Sequence, residues 1–255
     1  LSQHFDVDVH TGLSEDEMAA IIGDYEAVVV RSATKITSRL IDRAERLRIV
    51  ARAGAGLDTI DVSAAVDRGI DVINAPDANT LAVAELTVGL LVALARNITR
   101  GDAALKEGRW IKKELMGTGL AGKTIGIIGF GRIGQAVATR ARAFGMRIIT
   151  NQHRPTPELY LEAGVEPVDL YASLEQADFV TLHVPARPDT ENLIGADELA
   201  AMKPTAYLIN TSRGSIVDEE ALLRALDEET IAGAALDVFV EEPASDNPLA
   251  RHPKV

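Results

Sequence analysis

A glycine-rich stretch, residues 129–134 (GFGRIG), has the spacing of a loop that could hold phosphate groups. It follows a β-branched run that begins at Thr124, and a helical pattern begins at its far end. In this setting Gly129 permits the tight turn, Gly131 lets the backbone approach a phosphate, and Gly134 lets the helix pack on the strand. The helix N-terminus adds free N–H groups and a partial positive charge. The stretch therefore predicts that the pyrophosphate of a dinucleotide binds here.

The residues that end the next predicted strand bear on which dinucleotide binds. An acid about 20 residues after the glycine loop would bind the adenosine ribose hydroxyls. Gln152 occupies that place, and His153 and Arg154 follow it. A neutral side chain with an adjacent arginine can accept a 2′-phosphate, which a carboxylate would repel. We therefore expect NAD or NADP as cofactor, with a preference for NADP; a loosened NAD site is the alternative.

Composition and net charge limit the folds, partners and chemistry that this sequence can have. The 255 residues, 47% of them hydrophobic, suffice for one large α/β domain or two smaller ones. The 26 basic and 38 acidic residues give a net charge of −12, which disfavours nucleic acid and anionic membranes as partners. The absence of cysteine excludes disulfides and thiol catalysis and is compatible with a cytoplasmic location. The most apolar stretch, residues 81–95, is interrupted by Glu85 and is typical of a buried helix.

Strand and helix patterns alternate along the chain, which predicts an α/β fold with parallel sheets. We expect strands at 5–9, 26–30, 48–52, 71–74, 124–129, 147–150, 179–184, 206–210 and 232–236, and helices at 38–44, 62–68, 80–95, 133–144 and 219–227. A boundary near residues 75–79 divides the chain into domains 1–76 and 77–255. The first domain opens in the middle of a pattern and the second series stops without a final strand or helix, so we expect a fragment.

Six separated stretches occur in the order found in one enzyme family. They are residues 52–58 (RAGAGLD), 74–76 (NAP), 108–110 (GRW), 183–185 (HVP), 210–214 (NTSRG) and 236–243 (LDVFVEEP). Together they resemble the D-isomer-specific 2-hydroxyacid dehydrogenases over essentially the whole chain. The resemblance implies two Rossmann-like domains with the active site in the cleft between them. It also implies a discontinuous, flavodoxin-like substrate domain, of which residues 1–76 would be an incomplete part, and a dinucleotide-binding domain at 77–255.

The resemblance implies hydride transfer between NAD(P) and a D-2-hydroxy acid. Residues 31–37 and 110–117 are most similar to members that act on 3-phosphoglycerate, in the first step of serine biosynthesis. An NADPH-dependent glyoxylate or hydroxypyruvate reductase is the alternative, which residues 151–155 favour. An alternative of another class is a cofactor-sensing binding protein, since the family also includes transcriptional corepressors.

Site residues follow from the resemblance, and no metal site is among them. Arg213 corresponds to the arginine that binds the substrate carboxylate and polarises its carbonyl, which suits a planar, permanently charged guanidinium. Glu242 corresponds to the carboxylate that partners the catalytic histidine, and Asp237 to the acid at the nicotinamide carboxamide. The resemblance further places Arg132, Ile133, Val184, Pro185, Thr211 and Ser212 at the cofactor, Ala55 and Gly56 at the substrate carboxylate, and Arg31 and Ser32 at a substrate phosphate.

The family's general acid–base histidine has no counterpart in the sequence. It should stand in a Thr-Pro-His context about 18 residues after Glu242, which is about five residues past Val255. The five histidines present do not fit this context; they are His4, His10, His153, His183 and His252. We therefore expect residues 1–255 to bind cofactor without catalysing turnover.

The segment at about 97–122 corresponds to an arm that packs against a second subunit in the family. It is long, polar and basic, and it carries the only tryptophan, Trp110. Because tryptophan is enriched in interface cores, we expect a homodimer or higher oligomer through this arm. We also hypothesise that Lys112 or Lys113 reaches the active site of the partner subunit.

Overall fold

The computed structural model describes residues 2–153 and 157–255, so Arg154 lies outside the described residues. The chain forms two compact units, Leu1–Asn79 and Thr80–Val255. The division between them falls next to the boundary expected near residues 75–79 of the sequence. Each unit contains its own parallel sheet with helices packed on it, which confirms the predicted α/β class.

The elements are as follows. The strands are β1 Ala27–Val30, β2 Ile49–Arg52, β3 Asp71–Asn74, β4 Thr124–Ile128, β5 Arg147–Asn151, β6 Glu166–Pro167, β7 Phe179–Leu182, β8 Tyr207–Asn210 and β9 Gly233–Leu236. The α-helices are α1 Glu15–Ile21, α2 Ser38–Arg43, α3 Val62–Asp67, α4 Thr80–Ala95, α5 Ile98–Lys106, α6 Arg132–Ala143, α7 Pro157–Ala163, α8 Leu170–Gln176, α9 Ala196–Ala201 and α10 Glu219–Asp227. Short 3₁₀ helices lie at Ile22–Asp24, Lys112–Glu114, Gly214–Ile216 and Pro248–Arg251.

The first unit is a three-stranded sheet in the order β1-β2-β3. Its helices begin at side-chain caps: Thr37 accepts from the Leu40 N–H of α2, and Asp61 accepts from the Ala64 N–H of α3. These caps satisfy backbone donors that a helix leaves without a partner in its first turn. Buried Leu40 of α2 and Val50 of β2 belong to the core of this unit.

The predicted strand at residues 5–9 is wrong. Its alternation of apolar and polar residues resembles a half-buried strand, but no described strand pairs with it, and Val9 is 81% exposed. A strand needs a ladder partner to satisfy its backbone groups, and an apolar face to bury. The neighbouring residues make side-chain contacts instead: the hydroxyl of Tyr25 donates to Asp8 at 2.9 Å, and its oxygen lies 3.3 Å from His10 Nε2.

The second unit is a six-stranded parallel sheet in the order β6-β5-β4-β7-β8-β9. From β4 the chain adds strands in one direction across the sheet, to β5 and β6. From β7 it adds them in the other direction, to β8 and β9, so the strand order reverses between β4 and β7. In open α/β sheets, ligands bind outside the carboxyl ends of the strands at such a reversal. The fold therefore places a binding crevice at the ends of β4 and β7, where the glycine loop begins.

Helices cover both faces of this sheet. Side chains of α4 and α6 join one core cluster, and side chains of α8, α9 and α10 join the other. No single helix of the described residues has the length and apolar character to cross a membrane. Only α4 and α5 together, bent by 66° at their junction, meet that measure by length and composition.

Candidate functional site

The glycine loop joins β4 to α6 at the strand-order reversal. Gly129 has φ +96°, and a Cβ there would lie 2.5 Å from the carbonyl oxygen of His183, so only glycine is compatible with this turn. At Gly134 a Cβ would collide with the Gly129 carbonyl oxygen, which shows how closely α6 packs on the loop. At Gly131 a Cβ would meet nothing within 4 Å, and no side chain caps α6 there.

This loop combines open space at Gly131 with the uncapped N-terminus of a twelve-residue helix. Arg132 and Ile133 form the first turn of that helix. Backbone N–H groups that have no capping side chain are the donors that a pyrophosphate requires. The geometry fits the phosphate-binding role predicted for residues 129–134.

Gln152 lies directly after β5, the neighbour of β4 in the sheet. Its Oε1 accepts a long hydrogen bond of 3.4 Å from the Tyr160 hydroxyl. His153 beside it is exposed. Gln152 therefore stands at the same sheet edge as the glycine loop, where the ribose of a dinucleotide is expected.

His183, Val184 and Pro185 follow β7 beside the glycine loop. The His183 N–H donates to the Ile128 carbonyl at 2.7 Å, and its Nε2 lies 3.0 Å from the Thr181 hydroxyl. Among the described residues its Nδ1 has no hydrogen-bond partner. Burial lowers the pKa of His183 to about 4. The His183 backbone thus holds the end of β7 next to the glycine loop, and its ring is neutral near pH 7.

The loop that carries Arg213 is folded by Asn210, the last residue of β8. The buried Asn210 amide donates to the Arg213 carbonyl at 2.8 Å and accepts from the Ser212 N–H at 3.0 Å and from its hydroxyl at 3.1 Å. The Arg213 guanidinium in turn donates to the Ser212 carbonyl at 2.7 Å. One amide therefore fixes the backbone on both sides of Ser212 and sets the direction in which the arginine leaves the sheet.

Thr211 is tied to helix α4. Its hydroxyl lies 2.8 Å from that of Thr87, and both side chains are buried. Because the Thr87 hydroxyl donates its one proton to the Val83 carbonyl at 2.8 Å, Thr211 must be the donor in the pair. The start of the Arg213 loop is therefore bound to a helix on the face of the sheet.

Asp237 and Glu242 lie on the segment after β9, against the Arg213 loop. A Cβ on Gly214 would collide with the Phe239 backbone, so the two segments touch through their main chains. The Glu242 carboxylate accepts from the Phe239 N–H at 3.1 Å. Burial, and secondly the charge of Glu242, raises the pKa of Asp237 above its ordinary value. Arg213 and both acids are thus brought to neighbouring positions at one edge of the sheet.

The predicted site residues of the first unit lie at the carboxyl edge of its own sheet. Arg31 and Ser32 follow β1, whereas Ala55 and Gly56 follow β2. The Ala55 carbonyl accepts from the Asn74 amide at 2.6 Å, and the Gly56 carbonyl accepts from Arg52 Nε at 3.1 Å. These bonds hold the 55–56 loop through its carbonyls.

Thr87 and Asn210 are organising residues that were not predicted as such. Asn210 stands inside the stretch 210–214, so its place in a recognised stretch was available as a signal. The sequence indicated Thr87 only as one of two polar residues, with Glu85, in the apolar stretch 81–95. In the part of the chain that the structure describes, no group of three His, Asp or Glu residues is arranged to hold a metal ion.

Comparison with known proteins agrees with this geometry. The model of the D-isomer specific 2-hydroxyacid dehydrogenase NAD-binding domain matches residues 88–255. The chain belongs to this family. Its second unit accordingly contains a nicotinamide-dinucleotide-binding domain, as the glycine loop predicted.

The similar proteins include phosphoglycerate dehydrogenases and reductases of hydroxypyruvate or glyoxylate. D-3-phosphoglycerate dehydrogenase of Methanocaldococcus jannaschii is 51% identical over 245 residues, which are 96% of this chain and 47% of that protein. Hydroxypyruvate reductase of Thermotoga maritima is 47% identical and is matched over 92% of this chain and 76% of its own length. The structure of a glyoxylate reductase from Paecilomyes thermophila has a TM-score of 0.88 at 33% identity, covering 94% of this chain and 76% of that one. The chain spans about half the length of the phosphoglycerate dehydrogenases that it matches.

Gly131→Ala tests the phosphate-binding role of the loop. The added methyl enters space that is open in the protein, so we expect the free energy of unfolding to change by about 1 kcal/mol or less. The same methyl would hold the pyrophosphate away from the backbone, and loss of a hydrogen bond to a charged group lowers NADH affinity roughly 10-fold to 100-fold. Fluorescence titration with NADH, together with thermal denaturation, measures both effects.

Gly119→Ala is the matched control, because a Cβ at Gly119 also meets nothing within 4 Å and the residue lies outside the loop. Equal NADH affinity for the two variants would contradict the assignment of the pyrophosphate to residues 129–134.

Proposed function

We propose that the protein transfers hydride between a nicotinamide dinucleotide and C2 of a D-2-hydroxy acid, with 3-phosphoglycerate as the preferred substrate. The observation that carries this proposal is the packing of the Arg213 loop on the segment of Asp237 and Glu242 through Gly214. It gathers one permanent cation and two carboxylates at the sheet edge that also bears the glycine loop.

The proposed roles of the site residues follow from the charges of their side chains. Arg213 binds the substrate carboxylate bidentately and polarises the adjacent carbonyl, which lowers the cost of developing negative charge on oxygen. Glu242 orients the acid–base histidine, and Asp237 holds the nicotinamide carboxamide. The N–H groups of Ala55 and Gly56 meet the substrate carboxylate, and Arg31 and Ser32 hold its phosphate. When bound, the dinucleotide supplies the hydride acceptor or donor at C4 of its nicotinamide.

Three of the described histidines have other contacts or an unsuitable pKa for proton transfer at Arg213. His183 is half-buried, and burial lowers its pKa to about 4, so its ring is neutral near pH 7. His252 contacts Asp227 at 3.3 Å, and His10 contacts Tyr25. We propose that none of these three residues is the family's acid–base group.

Steady-state assay separates the two proposed substrates, in a protein that carries these residues together with the family's acid–base histidine. We expect oxidation of D-3-phosphoglycerate to exceed reduction of hydroxypyruvate and glyoxylate in kcat/KM, because residues 31–37 supply a cation for the substrate phosphate. Faster turnover of hydroxypyruvate would favour the reductase reading, which the 47% identity to the Thermotoga maritima enzyme supports. Tight dinucleotide binding with no turnover of any of the three would favour a cofactor-sensing role.

Residues 1–255 produced alone are the control for this assay. They are expected to bind the dinucleotide and to show no turnover, since the general acid–base group would be missing. Turnover of this shorter protein at the same rate would show that the acid–base residue has been misplaced.

We further propose that the cofactor site accepts NADP(H) at least as well as NAD(H), because Gln152 stands where an acid would exclude the 2′-phosphate. Gln152→Asp is expected to weaken NADPH binding about 10-fold, the effect of roughly 1.4 kcal/mol of charge repulsion, and to leave NADH binding unchanged or tighter. Separate titrations with NADPH and NADH measure the two affinities. Gln3→Asp, on an exposed residue of the first unit, controls for the added charge. An equal loss for both cofactors would rule out this role of Gln152.

The arm at 97–122 is proposed to form a homodimer interface. It presents large apolar side chains to solvent, including Trp110 at 80% exposure, with Met116 nearby in the sequence. Trp110→Glu is therefore expected to shift the protein from dimer to monomer in sedimentation at micromolar concentration. Leu161→Glu, at an equally exposed apolar residue of α7, should leave the dimer intact. Identical sedimentation of Trp110→Glu and the unaltered protein would contradict the proposal.

A further inference from the structure

Glu219 uses both oxygens of its carboxylate to hold the segment that follows β9. Its Oε1 accepts from the Val240 N–H at 2.8 Å, and its Oε2 accepts from the Asn247 side-chain amide at 2.7 Å. Glu219 is the first residue of α10, but the cap of that helix is Asp218, which accepts from the Ala221 N–H at 3.0 Å. The Glu219 carboxylate is therefore free of a capping role and is committed to the 240–247 segment.

Asn247 is itself fixed in one orientation. Its Oδ1 accepts from the Leu249 N–H at 3.0 Å, which leaves the NH₂ group to face Glu219. Leu249 is buried in the main core of the second unit and anchors the 3₁₀ helix Pro248–Arg251. Glu219 thus connects the middle of the segment, at Val240, to its anchored end.

The Val240 backbone lies where this segment packs on the Arg213 loop, since a Cβ on Gly214 would collide with the Val240 nitrogen as well as with Phe239. The preceding residue, Phe239, touches Gly214 through its main chain, and its N–H is bound by Glu242. The short stretch between Asp237 and Glu242 is consequently fixed from one side by Gly214 and from the other by Glu219. A carboxylate bonded to a backbone N–H makes a strong, charge-assisted contact, so it can determine the path of this stretch.

We infer that Glu219 is a positioning residue: it holds the 237–247 segment so that the acids on it are presented to the nicotinamide end of a bound dinucleotide. This inference rests on the proposed function, which places Asp237 at the nicotinamide carboxamide. It assigns Glu219 no contact with cofactor or substrate.

The adjacent Glu220 provides a matched control. It carries the same charge on the same helix, is exposed, and pairs only weakly with Arg224 at 3.8 Å. A surface pair of this kind contributes little to stability. Any effect of removing the Glu219 charge that is not reproduced in Glu220→Gln must come from its contacts with Val240 and Asn247.

The first arm of the experiment compares two ligands, NADH and ADP-ribose, which shares the adenosine, pyrophosphate and second ribose but lacks the nicotinamide. The Val240 N–H and the Asn247 NH₂ both donate to Glu219. In Glu219→Gln the NH₂ group of the new amide must therefore face one of these donors, and one hydrogen bond is lost. We expect NADH affinity to fall about 10-fold and ADP-ribose affinity to stay within about twofold. Glu220→Gln should change neither affinity.

The second arm tests rescue by a complementary change. In Glu219→Gln/Asn247→Asp the new glutamine can accept from the Val240 N–H and donate to the new aspartate, whose other oxygen still accepts from the Leu249 N–H. NADH affinity should return to within about twofold of the unaltered chain. Failure of the double variant to recover affinity, with the single variant weakened, would overturn the inference.

The third arm measures hydrogen exchange of the Val240 amide without ligand. Exchange should be roughly 10-fold faster in Glu219→Gln than in Glu220→Gln, because the bond to the carboxylate is weakened. Equal exchange in the two variants, or an equal loss of NADH and ADP-ribose affinity in Glu219→Gln, would overturn the inference while leaving the proposed function standing. An unaltered chain that binds neither ligand would overturn the proposed function and the nicotinamide part of the inference with it.

Discussion

At three places along the carboxyl edge of the larger sheet, main chain packs against main chain more closely than any Cβ allows. Gly129 lies against His183, Gly134 against Gly129, and Gly214 against Phe239. The first two contacts shape the turn of the glycine loop, and the third brings the Arg213 loop onto the segment of Asp237 and Glu242. Because side chains cannot act as spacers at these positions, the functional groups around them are placed by rigid backbone.

Negative charge is the second constraint on the site. A chain with net charge −12 must bind an anionic dinucleotide, so the local field has to oppose the overall one. The N-terminus of α6, which no side chain caps, and the Arg213 guanidinium are sources of positive potential at this edge of the sheet. The acids of the site are held by backbone donors: Glu242 binds the Phe239 N–H and Glu219 binds the Val240 N–H. This leaves Asp237 as the acid whose pKa is raised by burial and by its neighbour's charge.

The parts of the fold that the sequence predicts well are those set by local pattern. The glycine spacing and the β-branched run before it lead to β4 and α6, and the long apolar run leads to α4 with the bounds that were expected. The predicted strand at 5–9 is wrong because a strand also depends on a distant partner. Alternation of apolar and polar residues does not show whether a neighbouring strand is present to pair with it. Arg213 and Glu242 could be named from sequence, but not the contact at Gly214 that joins their segments. The Thr87–Thr211 pair and the two hydrogen bonds of Glu219 join residues far apart in sequence, so no local sequence pattern predicts them.

The half-buried ring of His183 makes the stability of this part of the fold depend on pH. In the unfolded chain this ring takes up a proton near its ordinary value of 6.5, whereas in the folded chain it does so only near pH 4. Folding therefore excludes a proton over that range, and the stability that the neutral ring contributes is present above pH 6.5 and declines as the pH falls toward 4. His183 directly follows β7, and its backbone carbonyl oxygen is the atom that a Cβ on Gly129 would meet first, at 2.5 Å. Acid therefore weakens the fold directly beside the glycine loop at residues 129–134.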